Sequence, residues 1–236
     1  MTFRPPRELE NLLSGANDIE IVVASLDVPA CDVDIASEVL SVDERRRADR
    51  FVFKPDRNRY IVARAQLRKL LGDRLQVSPE SIEFCYGEYG KPALANQLTG
   101  QPLYFNVSHS DDVAVYAFSR SRELGVDVEA IADMSDRDEV AAHCFSNQEI
   151  RKYKQLDDSD KPLGFFNCWT RKEAFVKALG DGLQCPLNSF DVTLSPGEPA
   201  EILRIGEHTG RECGWKLFSF APLPGFVGAV AVQSPT

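Results

Sequence analysis

Between Leu103 and Ala130 three short apolar stretches follow one another, "LYFNVSHS", "DVAVYAFSR" and "ELGVDVEA", with segments of helical spacing on both sides. A polar turn at Ser110, Asp111 and Asp112 joins the first two. Upstream, "IEIVVASLDV" reads as a strand. "SVDERRRADRFVF" and "DRNRYIVARAQLRKLLGDRL" read as two helices broken at Lys54, Pro55 and Asp56, with Ile61, Ala65, Leu67 or Arg68, and Leu71 on one face. "SIEFCYGEYGKPAL" is a strand entering a turn where Gly87 and Gly90 permit positive φ and Pro92 fixes the exit. Downstream come helices around Asp136 to Cys144, opening at Ser146, and around Trp169, then the strands "SFDVTLS", "AEILRI", "GWKLFSFA" and "FVGAVAV". Helices and strand meanders in both halves predict an α+β protein of two similar lobes, residues 1–120 and 121–236, instead of an alternating doubly wound sheet.

Composition narrows the function classes. With 236 residues, 43% of them hydrophobic, the chain can bury a real core. No apolar run approaches the roughly 20 residues that span a bilayer, and "MTFRPPRELENLL" has acids and prolines where a signal peptide has an apolar centre, so a cytoplasmic protein is expected. Six scattered cysteines without a C-x-x-C pair, and three histidines, point to reduced thiols and no zinc site. A net charge of −9 opposes general nucleic-acid binding. Arg45 to Arg74 reverses that sign: eleven Lys or Arg against three acids give a local +8, leaving −17 elsewhere. That stretch suits an anion of limited size, although a solvated helix surface also accounts for such runs.

In "GVDVE", Asp127 and Glu129 are one residue apart on a strand, so the two-residue period sends both carboxylates to one face. A divalent ion such as magnesium relieves their repulsion, and on an exposed strand solvent does the same. In "WTRKEAFVKALGDGL", Glu173 and Lys177 stand at i and i+4 beside an apolar stripe expected from Trp169, Phe175, Val176 and Leu179. One account of them is a helical ion pair worth about 0.3–0.5 kcal/mol. The other makes Glu173 a metal ligand or base and Lys177 a partner for phosphate. Ser108 and His109 are adjacent, so on a strand they leave on opposite faces, and without a G-x-S-x-G turn a Ser-His hydrolase is disfavoured. His109 reads either as a donor to an anion or as a satisfied core histidine. Ser146 and Glu149 have the S-x-x-E spacing of a capping box, which accounts for Glu149 structurally.

Taken in order, "GKPAL", "FNVSHS", "GVDVE", "FSNQEI" and "WTRKEAFVKALGDGL" resemble the signatures of the 4'-phosphopantetheinyl transferases, in particular the larger Sfp-type enzymes, from roughly Asp43 to Phe190. The most specific part is "GVDVE" followed some forty residues later by W-x-x-K-E-A-F-x-K. The resemblance implies two pseudo-symmetric α/β lobes with the active site, and coenzyme A as substrate, in the cleft between them. It implies transfer of the 4'-phosphopantetheine arm to a serine of an acyl or peptidyl carrier protein, releasing adenosine 3',5'-bisphosphate. Asp127, Glu129 and Glu173 match the ligands of magnesium or manganese, Glu173 also a base for the serine, and Lys177 a lysine near the pyrophosphate. Lys91, Ser108 and His109 match contacts on the 3'-phosphate and adenine side, and Arg59 and Arg47 match basic residues toward the nucleotide. Glu44 departs from the pattern, since some members carry lysine there. Arg64 and Arg68 lie in the similar "ARAQLR", where helix packing also accounts for them. A monomer is expected, with no nucleic-acid or membrane partner. The competing readings are a non-catalytic coenzyme A or nucleotide sensor using the same cleft, and a scaffold that binds an acidic partner through the Arg45 to Arg74 face.

Overall fold

A computed structural model describes residues 2–3, 19–88, 90–95, 102–180, 185–206, 208–209 and 214–234. Most of the N-terminal stretch read for a signal, the 181–183 end of the Trp169 segment, and Cys213 lie outside them. Among the described residues the order is β1 (Thr2–Phe3), β2 (Ile19–Ser25), α1 (Ala30–Glu38), α2 (Val42–Ala48), α3 (Lys54–Leu75), β3 (Phe84–Tyr86), β4 (Pro92–Leu94), β5 (Tyr104–Ser110), β6 (Val113–Ser119) and β7 (Leu124–Ala130). Then follow α4 (Arg137–Cys144), α5 (Asn147–Lys154), α6 (Lys161–Leu179), β8 (Phe190–Val192), β9 (Ile202–Ile205), β10 (His208–Thr209), β11 (Trp215–Phe220) and β12 (Phe226–Gln233).

The fold is α+β. One antiparallel sheet has the order β1-β2-β6-β5, another β11-β12-β7, and small sheets β8-β9-β10 and β3-β4 flank them. Each main sheet carries one long helix on its outer face. Leu67 and Leu71 of α3 pack with Val22, Ala24 and Tyr116, while Phe165 and Phe175 of α6 pack with Ala229 and Ala231. The inner faces close on each other through Ile21, Val23 and Val115 against Val126, Val128 and Val230. Four layers result, and strands buried on both faces read as continuous apolar runs; every residue of β6 is buried.

Several boundaries differ from the sequence expectation. The helix break falls at residues 49–53, and Lys54, Pro55 and Asp56 form the first turn of α3, where proline's missing N–H costs nothing. Likewise α6 starts at Lys161, two turns before Trp169, with Pro162 in its first turn. Helix α1 was not read from the sequence. Of the two glycines in the β3–β4 turn, Gly90 has φ 81° and Gly87 is not in the positive region. Among the described residues Cys31, Cys85, Cys144 and Cys168 are free thiols.

Much of the basic stretch is internally partnered. Glu44 is 4% exposed, with Arg64 at 2.5 Å and Arg68 at 2.7 Å. Arg68 also donates to the Pro79 and Ile82 carbonyls, so packing accounts for it. Arg57 meets Asp49, and Arg74 meets Glu20. The residues left to face an external anion are therefore fewer than the local +8 suggests.

Candidate active site

Three elements converge on the site: β5, β7 and α6. Gly125 opens the "GVDVE" segment, and a Cβ there would lie 2.2 Å from the Ala174 carbonyl oxygen and 2.2 Å from the Ala178 amide nitrogen. Glycine is what lets the α6 backbone rest directly on β7. The half-exposed edge of α6 then carries Trp169, Glu173 and Lys177 along one i, i+4 row, while Phe175 and Val176 are buried. Trp169 and Leu179, expected in the buried stripe, do pack against the core but stay half-exposed; Trp169 stacks on Phe165, its indole N–H reaches Glu129, and it shares the edge with Glu173. Gly180 ends the helix at φ 78°, a left-handed cap.

Lys177 Nζ lies 2.6 Å from Asp127 Oδ1 and donates to Ser108 Oγ at 3.0 Å. Ser108 Oγ donates to the same Asp127 oxygen at 2.9 Å. The lysine's ion pair therefore runs across to the strand and not along the helix to Glu173. Asp127 is 3% exposed, and its Oδ2 is buried with no hydrogen-bond partner in the protein. Ser110 Oγ donates to Glu129 Oε2 at 2.8 Å. Burial raises the carboxyl pKa values of Glu129 and Glu173 above the ordinary value, and the Asp127 charge raises both further, against an opposing pull from Lys177.

A buried oxygen without a donor, beside two carboxyls that are costly to ionise, marks a local deficit of positive charge. All-oxygen donors suit a hard divalent ion, so Asp127, Glu129 and Glu173 fit a magnesium-type ligand set. Among the described residues no three Asp, Glu, His or Cys side chains are drawn into a closed cluster, so the fit rests on the orphaned oxygen and on donor chemistry.

A cleft of about 520 Å³ opens beside this group, lined by Lys91, Asn106, His143, Cys144, Glu173 and Lys177. Lys91 Nζ donates to the Ala178 carbonyl at 2.9 Å and lies 3.3 Å from Glu123, which ties the "GKP" turn to the last turn of α6. His109 is exposed, on the opposite face of β5 from buried Ser108. Desolvation, together with the Lys177 and Arg59 cations, lowers its pKa from the usual value, although the side chain still reaches solvent. Arg47 sits over the Tyr60 ring at 5.7 Å and lines a different hollow of about 1060 Å³ with Arg46 and Arg50. The structure thus joins Ser108, Asp127 and Lys177 by direct contact with Glu129 and Glu173 beside them, puts Lys91 on the same cleft, sets His109 within electrostatic reach of Lys177 and Arg59, and leaves Arg47 apart. Sequence reasoning missed Gly125, Ser110, Asn106 and the role of Trp169; the N-x-S-x-S spacing opposite D-x-E was the available signal for two of them.

Two family models match adjoining parts of the chain: the 4'-phosphopantetheinyl transferase superfamily over residues 123–230, and the 4'-phosphopantetheinyl transferase N-terminal model over residues 29–121. The 4'-phosphopantetheinyl transferase HetI of Nostoc sp. is 34% identical over 229 residues, 97% of this chain and 92% of that protein. The 4'-phosphopantetheinyl transferase Sfp of Bacillus subtilis is 30% identical over 196 residues, 83% of each chain. With such coverage across both main sheets and the site between them, the chain belongs to the 4'-phosphopantetheinyl transferase family.

Proposed function

We propose that this protein transfers the 4'-phosphopantetheine group from coenzyme A to a serine of an acyl or peptidyl carrier protein, residues 1–120 serving mainly the nucleotide and 121–236 the chemistry. The observation that supports this most is the contact of Asp127, Ser108 and Lys177, with Glu129 and Glu173 at its edge, beside an open cleft. In the reaction the serine oxygen bonds to the β-phosphorus of the coenzyme pyrophosphate. The bond from that phosphorus to the bridging oxygen breaks, and adenosine 3',5'-bisphosphate leaves with the electron pair.

The serine proton needs an acceptor. Glu173, half-exposed with a carboxyl pKa raised by burial and by Asp127, suits a base working nearer neutrality than a free glutamate. Lys177 stabilises negative charge as it grows on the phosphate oxygens. A divalent ion, magnesium or manganese, supplies further charge neutralisation when bound by Asp127, Glu129 and Glu173. Lys91 and Arg59 serve the anionic nucleotide end, and His109 offers it a hydrogen bond. One copy carries every group named, so a monomer suffices. Among the described residues no helix is long and apolar enough to cross a membrane, and the reading places the protein with its carriers in the cytoplasm.

A coenzyme A sensor would need the cations but neither a base nor a three-carboxylate ligand set, so the site favours the transferase. Intact-mass spectrometry of an apo carrier incubated with this protein, coenzyme A and magnesium should show a phosphopantetheine gain that disappears with Asp127→Ala and with EDTA. Coenzyme A binding without any gain on acyl and peptidyl carriers alike would favour the sensor.

A further inference from the structure

We propose that Ser110 is a positioning residue for Glu129, holding that metal carboxylate in place from the opposite side of the seam between the two main sheets. This inference rests on the divalent-ion reading above. Strands β5 and β7 are the edges of their respective sheets and lie side by side without pairing backbone to backbone. Edge strands leave alternate N–H groups without a ladder partner. Here three side chains of β5 accept them: Asn106 Oδ1 takes the Val126 N–H at 2.9 Å, Ser108 Oγ the Val128 N–H at 3.4 Å, and Ser110 Oγ the Ala130 N–H at 3.1 Å.

The two serines have one proton each to give. With its oxygen fixed by a backbone N–H, each hydroxyl donates to the carboxylate one residue earlier on β7. Ser108 donates to Asp127 at 2.9 Å, and Ser110 donates to Glu129 at 2.8 Å. The period of two in "NVSHS" thus matches the period of two in "GVDVE", and one contact is repeated at both acids. One sheet supplies the carboxylates and the other orients them. Groups that hydrogen-bond metal ligands fix their orientation, and losing one typically costs about tenfold to a hundredfold in metal affinity. Ser108 also meets Lys177, so its removal would disturb two things at once. Ser110 is the cleaner probe.

The test measures Mn2+ affinity of the full chain by electron paramagnetic resonance, with coenzyme A present, for the wild type, Ser110→Ala and Ser110→Thr, alone and with Glu129→Gln. Ser110→Ala is expected to weaken Mn2+ binding about tenfold, with kcat at saturating Mn2+ unchanged within about twofold and the loss appearing in the KM for metal. Ser110→Thr, which keeps the hydroxyl, should restore affinity, and Ser110→Ala should add little once Glu129→Gln is present. If Ser110→Ala does not fold, Ser110→Cys, similar in size and a weak donor, carries the same comparison. Wild-type affinity in Ser110→Ala overturns the inference, as does an equal loss in the Glu129→Gln background or a failure of threonine to rescue. A wild type that binds no Mn2+ overturns both the inference and the metal reading beneath it, and is told apart from those results by the wild-type titration alone.

Discussion

In the N-terminal half, Ser41 and Glu44 close a capping box at the start of α2, and Glu44 is buried against Arg64 and Arg68 of the long helix α3. In the C-terminal half, Ser146 and Glu149 close the same box at the start of α5, and Glu149, 1% exposed, lies 2.8 Å from Lys172 of the long helix α6. The partners differ. Two guanidiniums and the Ser41 N–H hold the Glu44 carboxyl below the usual range against the effect of burial. One ammonium and the N–H groups of Ser146 and Val192 leave Glu149 above it, because burial prevails. Lys172 also donates to the Leu187 and Phe190 carbonyls, at 2.6 Å each. It is a fully buried anchor, and the next residue is Glu173. The same device thus packs both helices, and on α6 it stands directly behind the edge that carries Glu173 and Lys177.

The largest expected effect comes from breaking the singly partnered device. Lys172→Met leaves Glu149 buried without a cation and should cost about 3–5 kcal/mol in urea unfolding. Gly125→Ala, which forces α6 away from β7, should lower kcat about a hundredfold, equivalent to about 2.7 kcal/mol, in single-turnover transfer. Arg64→Met should cost only about 1–2 kcal/mol, since Arg68 still serves Glu44; a loss equal to that of Lys172→Met would remove the contrast between the halves.

The smallest effect is one of sign. Glu44, with its pKa lowered, adds stability that is present above about pH 4.3, the value for a free glutamate, and is lost as pH falls through the folded value. Glu149, with its pKa raised, holds its proton longer in the fold, so stability declines as pH rises from about 4.3 through the folded value. Urea midpoints across acidic pH should therefore lose their rising slope in Glu44→Gln and their declining component in Glu149→Gln. Equal responses in the two variants would contradict the assignment.

Local pattern made part of this visible in the sequence. Alternation placed Asp127 and Glu129 on one face, and S-x-x-E spacing identified the Ser146 box. Helix α1 went unread because "ACDVDIASE" buries only Val33 and Ala36 and offers no apolar stripe. Trp169 packs on the core as its hydrophobicity suggests, but hydrophobicity alone does not show that its N–H also makes it a bridge between the α6 edge and β7. Ser110, Asn106, and the burial of Glu44 with Arg68 depend on which elements become neighbours. Such contacts span 20 or more residues, so local spacing alone does not say which elements meet.

The most direct test of the α6 edge as the seat of chemistry is the single-turnover rate of carrier modification by Lys177→Met at saturating coenzyme A and magnesium, with folding checked by near-ultraviolet circular dichroism. A loss of about a hundredfold to a thousandfold in folded protein is expected if the Lys177 ammonium stabilises developing phosphate charge. A folded Lys177→Met protein that transfers within a few-fold of the wild-type rate would contradict it.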